Sequence, residues 1–156
     1  TGDDFIDDCA VESDLEMYFP DTYVPGSSER MLLYRELDNI ENDADLDAYR
    51  KRLEDRFGPV PRQGIELMQV VALRRVGKRL GCEKLILKQS TLQMQFISNP
   101  DSAYYKSRAF GKCIDYIGNN PRHCNIKERN GKRSMVVTGV KSVGDAVFVL
   151  REIDKG

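Results

Sequence analysis

Histidine is almost missing from this sequence: among 156 residues only His123 carries an imidazole. Acid–base chemistry built on paired or relayed imidazoles is therefore excluded. The neighbour of His123 is Cys124, and adjacent residues do not have the spacing of a zinc pair. The four cysteines, Cys9, Cys82, Cys113 and Cys124, include no C-x-x-C. Neither a G-x-S-x-G elbow nor a G-x-x-x-x-G-K-[ST] phosphate loop occurs. No apolar run approaches the roughly 20 residues that span a bilayer. The acidic start, Thr1-Gly2-Asp3-Asp4, lacks the apolar core of a signal peptide. A charge excess is missing too: 24 Lys and Arg stand against 25 Asp and Glu, so no global field draws the chain to nucleic acid or anionic lipid. The cysteines are expected to be reduced thiols that pack as small apolar groups in a cytoplasmic protein. No metal, cofactor, membrane contact or catalytic residue is expected.

What is present suits one folded domain: 40% of residues are apolar and 31% charged. Residues 1–14 are acidic and aperiodic and read as a linker or the stump of a longer polypeptide; residues 15–156 read as a single domain. Leu15–Phe19 alternates and meets Pro20, as a short edge strand would. Pro25-Gly26-Ser27-Ser28 reads as a turn ending in a helix cap. Leu33, Leu37 and Ile40 then share a helical face. Asn42 or Asp43 caps a second helix with Leu46, Tyr49, Leu53 and Phe57 inward, stopped by Gly58 and Pro59. A third helix starts near Pro61, with Ile65, Met68, Ala72, Val76 and Leu80 as its stripe, and stops at Gly81.

Beyond Gly81 the period becomes two. Lys84–Lys88 and Thr91–Ile97 are strands joined at Gln89-Ser90, with Leu92, Met94 and Phe96 on one face. Ser98-Asn99-Pro100-Asp101 begins a fourth helix carrying Ala103, Phe110, Ile114 and Ile117. Cys124–Arg129 and Lys132–Thr138 flank Asn130-Gly131, a strong hairpin signal. Ser142 caps a last helix that buries Val143, Val147, Leu150 and Ile153. The predicted order is β-ααα-ββ-α-ββ-α. Strands that arrive as hairpins point to an α+β fold, a mostly antiparallel sheet packed with about five helices.

Three groups of residues can be weighed for chemistry. Of the carboxylate pairs, Asp3-Asp4 and Asp7-Asp8 read as solvated charge, while Glu54-Asp55 lies at the end of a helix among Arg52 and Arg56, either as a local ion-pair lattice or as a partner contact. Arg74, Arg75, Lys78 and Arg79 cluster at the end of the third helix, where the dipole favours cations and where phosphates or an acidic protein surface could also be met. Tyr104-Tyr105 cannot both face inward on a helix, so one is expected at the surface. His123 and Cys124 would point to opposite faces of a strand, against a nucleophile pair.

Two segments exceed generic patterning. Tyr18-Phe19-Pro20-Asp21-Thr22-Tyr23-Val24, followed by Glu29-Arg30-Met31-Leu32-Leu33-Tyr34-Arg35-Glu36-Leu37, resembles the entry to the carboxy-terminal domain of bacterial transcription-repair coupling factors. Leu53-Glu54-Asp55-Arg56-Phe57-Gly58-Pro59-Val60-Pro61 is similar to that family's "L-x-D-R-F-G-x-x-P". The run from Leu73-Arg74-Arg75 to Leu80-Gly81-Cys82-Glu83-Lys84-Leu85 looks like a third family segment in register. Departures are Cys82 for an apolar residue, Val24, Val60, and Arg52 where some members carry an acid.

The resemblance implies a parent that is a multidomain ATP-driven DNA translocase. That parent engages stalled RNA polymerase and recruits the excision-repair protein UvrA. The terminal domain is implied to be regulatory: it covers the UvrA-binding module and restrains the motor domains of the same polypeptide, with Arg52, Asp55 and Arg56 as partner-binding residues. Direct DNA contact by this region is not expected on that reading. The alternatives left open are a nucleic-acid-binding accessory domain using Arg74, Arg75, Lys78 and Arg79, and, more remotely, a Cys124-dependent enzyme.

Overall fold

A computed structural model describes residues 5–156; the acidic pair Asp3-Asp4 lies outside the described residues. The element order is the expected one: β1 (Ala10–Ser13), α1 (Ser27–Asp38), α2 (Asp43–Phe57), α3 (Arg62–Arg79), β2 (Cys82–Lys88), β3 (Thr91–Phe96), α4 (Arg108–Asn119), β4 (Cys124–Arg129), β5 (Lys132–Thr138) and α5 (Val143–Asp154). The fold is α+β. Its contacts divide the chain into two compact units, a helical one of residues 16–72 and a sheet unit of Leu73–Gly156 with the chain up to Leu15.

The helical unit is organised by aromatic residues whose polar ends are satisfied. Phe19, Val24, Leu37, Tyr49, Leu53, Val60 and Met68 form its core. Tyr49 Oη donates to the Leu33 carbonyl at 2.8 Å and Tyr23 Oη to the Gly58 carbonyl at 2.8 Å, so the rings bury without leaving orphan hydroxyls. Asn42 caps α2: its Oδ1 accepts from Asp45 N at 2.8 Å. Gly58 ends the helix with φ +85° and ψ −170°, a region that only glycine enters without strain.

The expected strand at Leu15–Phe19 does not form. Its backbone donors are used elsewhere: Phe19 N donates to Tyr34 Oη (2.9 Å) and Tyr18 N to the Gln63 carbonyl (3.2 Å). The Phe19 ring stacks on Tyr34, with centroids 5.4 Å apart. Two smaller corrections follow in this unit. The α1 cap is Gly26, with Ser27 already helical and no side-chain cap bond, and Ile65 is exposed where the stripe placed it inward.

The sheet has five strands in the order β1-β2-β3-β5-β4. All neighbours are antiparallel except β1, which runs parallel to β2 with Ala10 opposite Lys84 and Ser13 opposite Leu87. The first strand of the predicted order thus comes from residues read as linker, and Cys9 just before it is fully buried. The hairpin turns use left-handed residues, Gln89 and Ser90 (φ +52° and +57°) and Asn130-Gly131 (φ +52° and +77°).

One face of the sheet carries Leu85, Leu87, Leu92, Met94, Phe96, Met135 and Val137, all buried. Helices cover that face. A Cβ on Gly77 of α3 would touch Leu85, and the Phe96 ring packs on Tyr104 and Phe110. The fourth helix is interrupted: Ala103–Lys106 is a short 3-10 turn, and α4 starts afresh after Ser107, whose Oγ accepts from Phe110 N. The break lets Tyr104 bury completely and donate to the Leu80 carbonyl at 2.5 Å. Tyr105 is half-buried, its hydroxyl on the Ile97 carbonyl and its ring under Arg133, so neither tyrosine is left over for a partner. Ile114, expected inward, is exposed.

Candidate functional site

The residues singled out on α2 lie on its exposed surface and are tied to α1. Arg52 pairs with Glu36 and Arg56 with Glu29, while the two guanidinium groups rest over the Tyr49 and Phe57 rings at 5.8 and 5.0 Å. Glu29, Leu32 and Glu36 recur at i, i+3 and i+7, so Leu32 stands on the helix flank between the two ion pairs. Leu32 is 61% exposed and its neighbour Met31 56%. Asp55 is exposed and makes no ion pair among the described residues. An exposed apolar side chain flanked by charge is the anatomy of a modest protein contact, with a centre that desolvates and a rim that stays wet. Sequence reasoning singled out Arg52, Asp55 and Arg56 and passed over the exposed Met31 and Leu32. Both sit in a helical apolar run whose inward members, Leu33 and Leu37, masked them.

Further along α2 the charges form a lattice. Asp47 accepts from Arg50 at 2.8 Å and pairs with Lys51 at 3.1 Å, and Glu54 lies 3.5 Å from Arg50. Hydrogen bonding from Arg50, then from Lys51, holds the Asp47 carboxyl below its ordinary range. At this exposure such pairs orient side chains more than they stabilise the fold.

The basic cluster on α3 is only partly available. Arg74, Arg75 and Lys78 are half-buried. Arg79 donates through Nε and Nη2 to Asp154 Oδ2 at 3.1 and 3.0 Å, and Lys112 closes on the same residue, at 2.6 Å from its carbonyl. Part of this cluster therefore holds α5 in place.

All four thiols are buried and free. Desolvation pushes Cys9 and Cys113 up to about 12 and raises Cys82 and Cys124 as well, which disfavours the nucleophilic thiolate. His123 is exposed and precedes β4, its carbonyl accepting from Thr138 N at 2.8 Å. Among the described residues no cluster of three or more His, Cys, Asp or Glu could hold a metal, and no helix is long and apolar enough to cross a membrane.

The architecture as a whole matches one known class of module. The crystal structure of a C-terminal domain of transcription-repair coupling factor superposes with a TM-score of 0.76, covering 95% of this chain and 92% of that one at 14% identity, which fixes the fold. Sequence fixes the family: the TRCF domain pattern matches residues 13–107, and the chain belongs to that family. Transcription-repair-coupling factors of Rickettsia bellii and Escherichia coli K12 are 25% and 28% identical over 116 and 75 residues, or 74% and 48% of this chain. The chain spans about a tenth of the length of the first of these relatives and less of the second.

Proposed function

We propose that this domain is a regulatory lid within a longer transcription-repair coupling factor. It docks through the α1–α2 surface on neighbouring domains of the same polypeptide, masks the UvrA-binding module and restrains the DNA translocase motor until RNA polymerase is engaged. No bond is made or broken in the domain itself. The observation that carries the reading is the exposed Leu32 flanked by the Arg52–Glu36 and Arg56–Glu29 ion pairs, on a chain of this family. A lid of this kind is a coupling between two states: it must bind the closed arrangement better than the open one. A few kcal/mol is enough, and a surface of this modest size and mixed polarity is suited to supply it.

The test compares the full-length polypeptide with one lacking residues 15–156, and with Leu32→Asp. Deletion and substitution should both raise UvrA binding and translocation on free DNA. If both quantities stay at the intact level after deletion, the lid reading fails.

A further inference from the structure

The second face of the sheet is exposed at Lys88, Asn125, Lys127, Arg129, Lys132 and Thr138, while Ser134 and Val136 at its middle are buried. The ladder register assembles it from separated stretches of sequence. Lys84 lies level with Gln95, Ser134 and Lys127; Ile86 with Gln93, Val136 and Asn125; Arg129 with Lys132. Two contacts fix the shared side: Glu12 reaches both Lys84 (2.7 Å) and Lys88 (3.7 Å), and Gln93 Nε2 donates to Ser134 Oγ (3.2 Å).

Five cations stand on this face: Lys84, Lys88, Lys127, Arg129 and Lys132. Glu12 is the one strand acid opposing them. The other acids nearby are engaged elsewhere: Asp14 Oδ2 accepts from Gln89 N, Glu83 turns to Ser98, and Glu128 pairs with Arg133 on the helix-covered side. Between the cations lie amides and hydroxyls (Gln93, Gln95, Asn125, Thr91 and Thr138). Residues 73–156 hold 17 Lys and Arg against 7 Asp and Glu, and the unit keeps a cationic excess, 17 to 13, when the six acids of residues 1–15 are added.

We infer that this open face binds the phosphate backbone of duplex DNA. Charge complementarity calls for a polyanion. Lysine, amide and hydroxyl groups are the side chains that contact phosphate and sugar without reading sequence. A protein partner is less well matched, because interface centres favour aromatics, Met and Arg and are depleted in Lys, and this face has no aromatic residue. The same absence disfavours single strands, whose unpaired bases seek stacking platforms. The face shares no residue with the α3 cluster or with the α1–α2 surface, and the inference stands whether or not the lid reading does.

The experiment titrates the 156-residue chain against a short mixed-sequence duplex, the matching single strand, and poly-glutamate as a protein-like polyanion. Binding should favour the duplex and weaken at least ~50-fold between about 50 and 200 mM salt, as three or more released counterions require. The triple variant K127A/R129A/K132A should flatten the slope of log affinity against log salt by about 2 to 3. Glu12→Gln should do the reverse: it frees Lys84 and Lys88, tightens binding about three-fold and steepens the slope, a gain that misfolding cannot imitate. The inference is overturned by no duplex binding at low salt, by preference for the single strand or for poly-glutamate, by indifference to these substitutions, or by loss of binding in Lys78→Ala instead.

Discussion

The two units treat their cations in opposite ways. Residues 16–72 carry 12 Asp and Glu against 7 Lys and Arg, and the cations of α2 are matched to acids on α1 or on α2 itself. The sheet unit holds the reverse excess, 17 Lys and Arg against 13 Asp and Glu, with six of those acids in residues 1–15. There Arg79 and Lys112 are anchored on Asp154, but the cations of the open sheet face outnumber the acids able to meet them. A net charge of −1 conceals this division. Charge that is paired within a unit serves shape, and charge left in surplus is what a ligand can use.

The largest expected effect separates the two helix stops. Gly81 has φ +79°, and a Cβ there would overlap the Tyr104 ring. Gly58 has φ +85° with open space around it. Gly81→Val should therefore cost more than about 3 kcal/mol, strain and overlap together, and Gly58→Val about 1–3 kcal/mol from strain alone. Chemical denaturation of the two variants decides it; equal losses would show that the Tyr104 contact yields cheaply.

Tyr104→Phe comes next, at about 1–3 kcal/mol, because it leaves the buried Leu80 carbonyl without its donor. Alkaline titration probes the same core. Cys9 and Cys113 are held neutral by burial, with folded pKa values near 12 against an ordinary 9.0. A raised folded pKa gives stability that is complete below pH 9 and lost as pH climbs toward 12. Melting curves across that window should fall less steeply for Cys113→Ala than for the parent chain, and a parallel fall would refute the assignment.

The smallest effects are expected in the helical unit. Arg52→Ala and Arg56→Ala remove exposed pairs and should shift the isolated chain's stability by less than about 1 kcal/mol. Thermal melts showing more would make these residues struts of the α1–α2 pair rather than a partner surface.

Local chemistry made much of this fold readable. Asn42, Gly58, Asn130-Gly131 and Ser142 each impose a cap or turn whatever lies far away, and each does so here. Where sequence misled, a distant partner decided the outcome. Leu15–Phe19 alternates like a strand, but Tyr34 and Gln63 take its donors. Ala10–Ser13 has no pattern of its own and becomes a strand because β2, over 70 residues later, offers a free edge. The candidate surfaces divide in the same manner. Arg74, Arg75, Lys78 and Arg79 were conspicuous because they are contiguous, while Lys84, Lys88, Lys127, Arg129 and Lys132 become neighbours only through strand register.

That borrowed strand has a mechanical meaning. The chain ahead of Ala10 enters the sheet through a buried thiol and four residues laid along an outer edge. Phe5 ties the same stretch down further back, its ring edge-on to the buried Tyr104 at 5.5 Å. Strain on this end of the domain is thus shared between an edge ladder and two interior contacts.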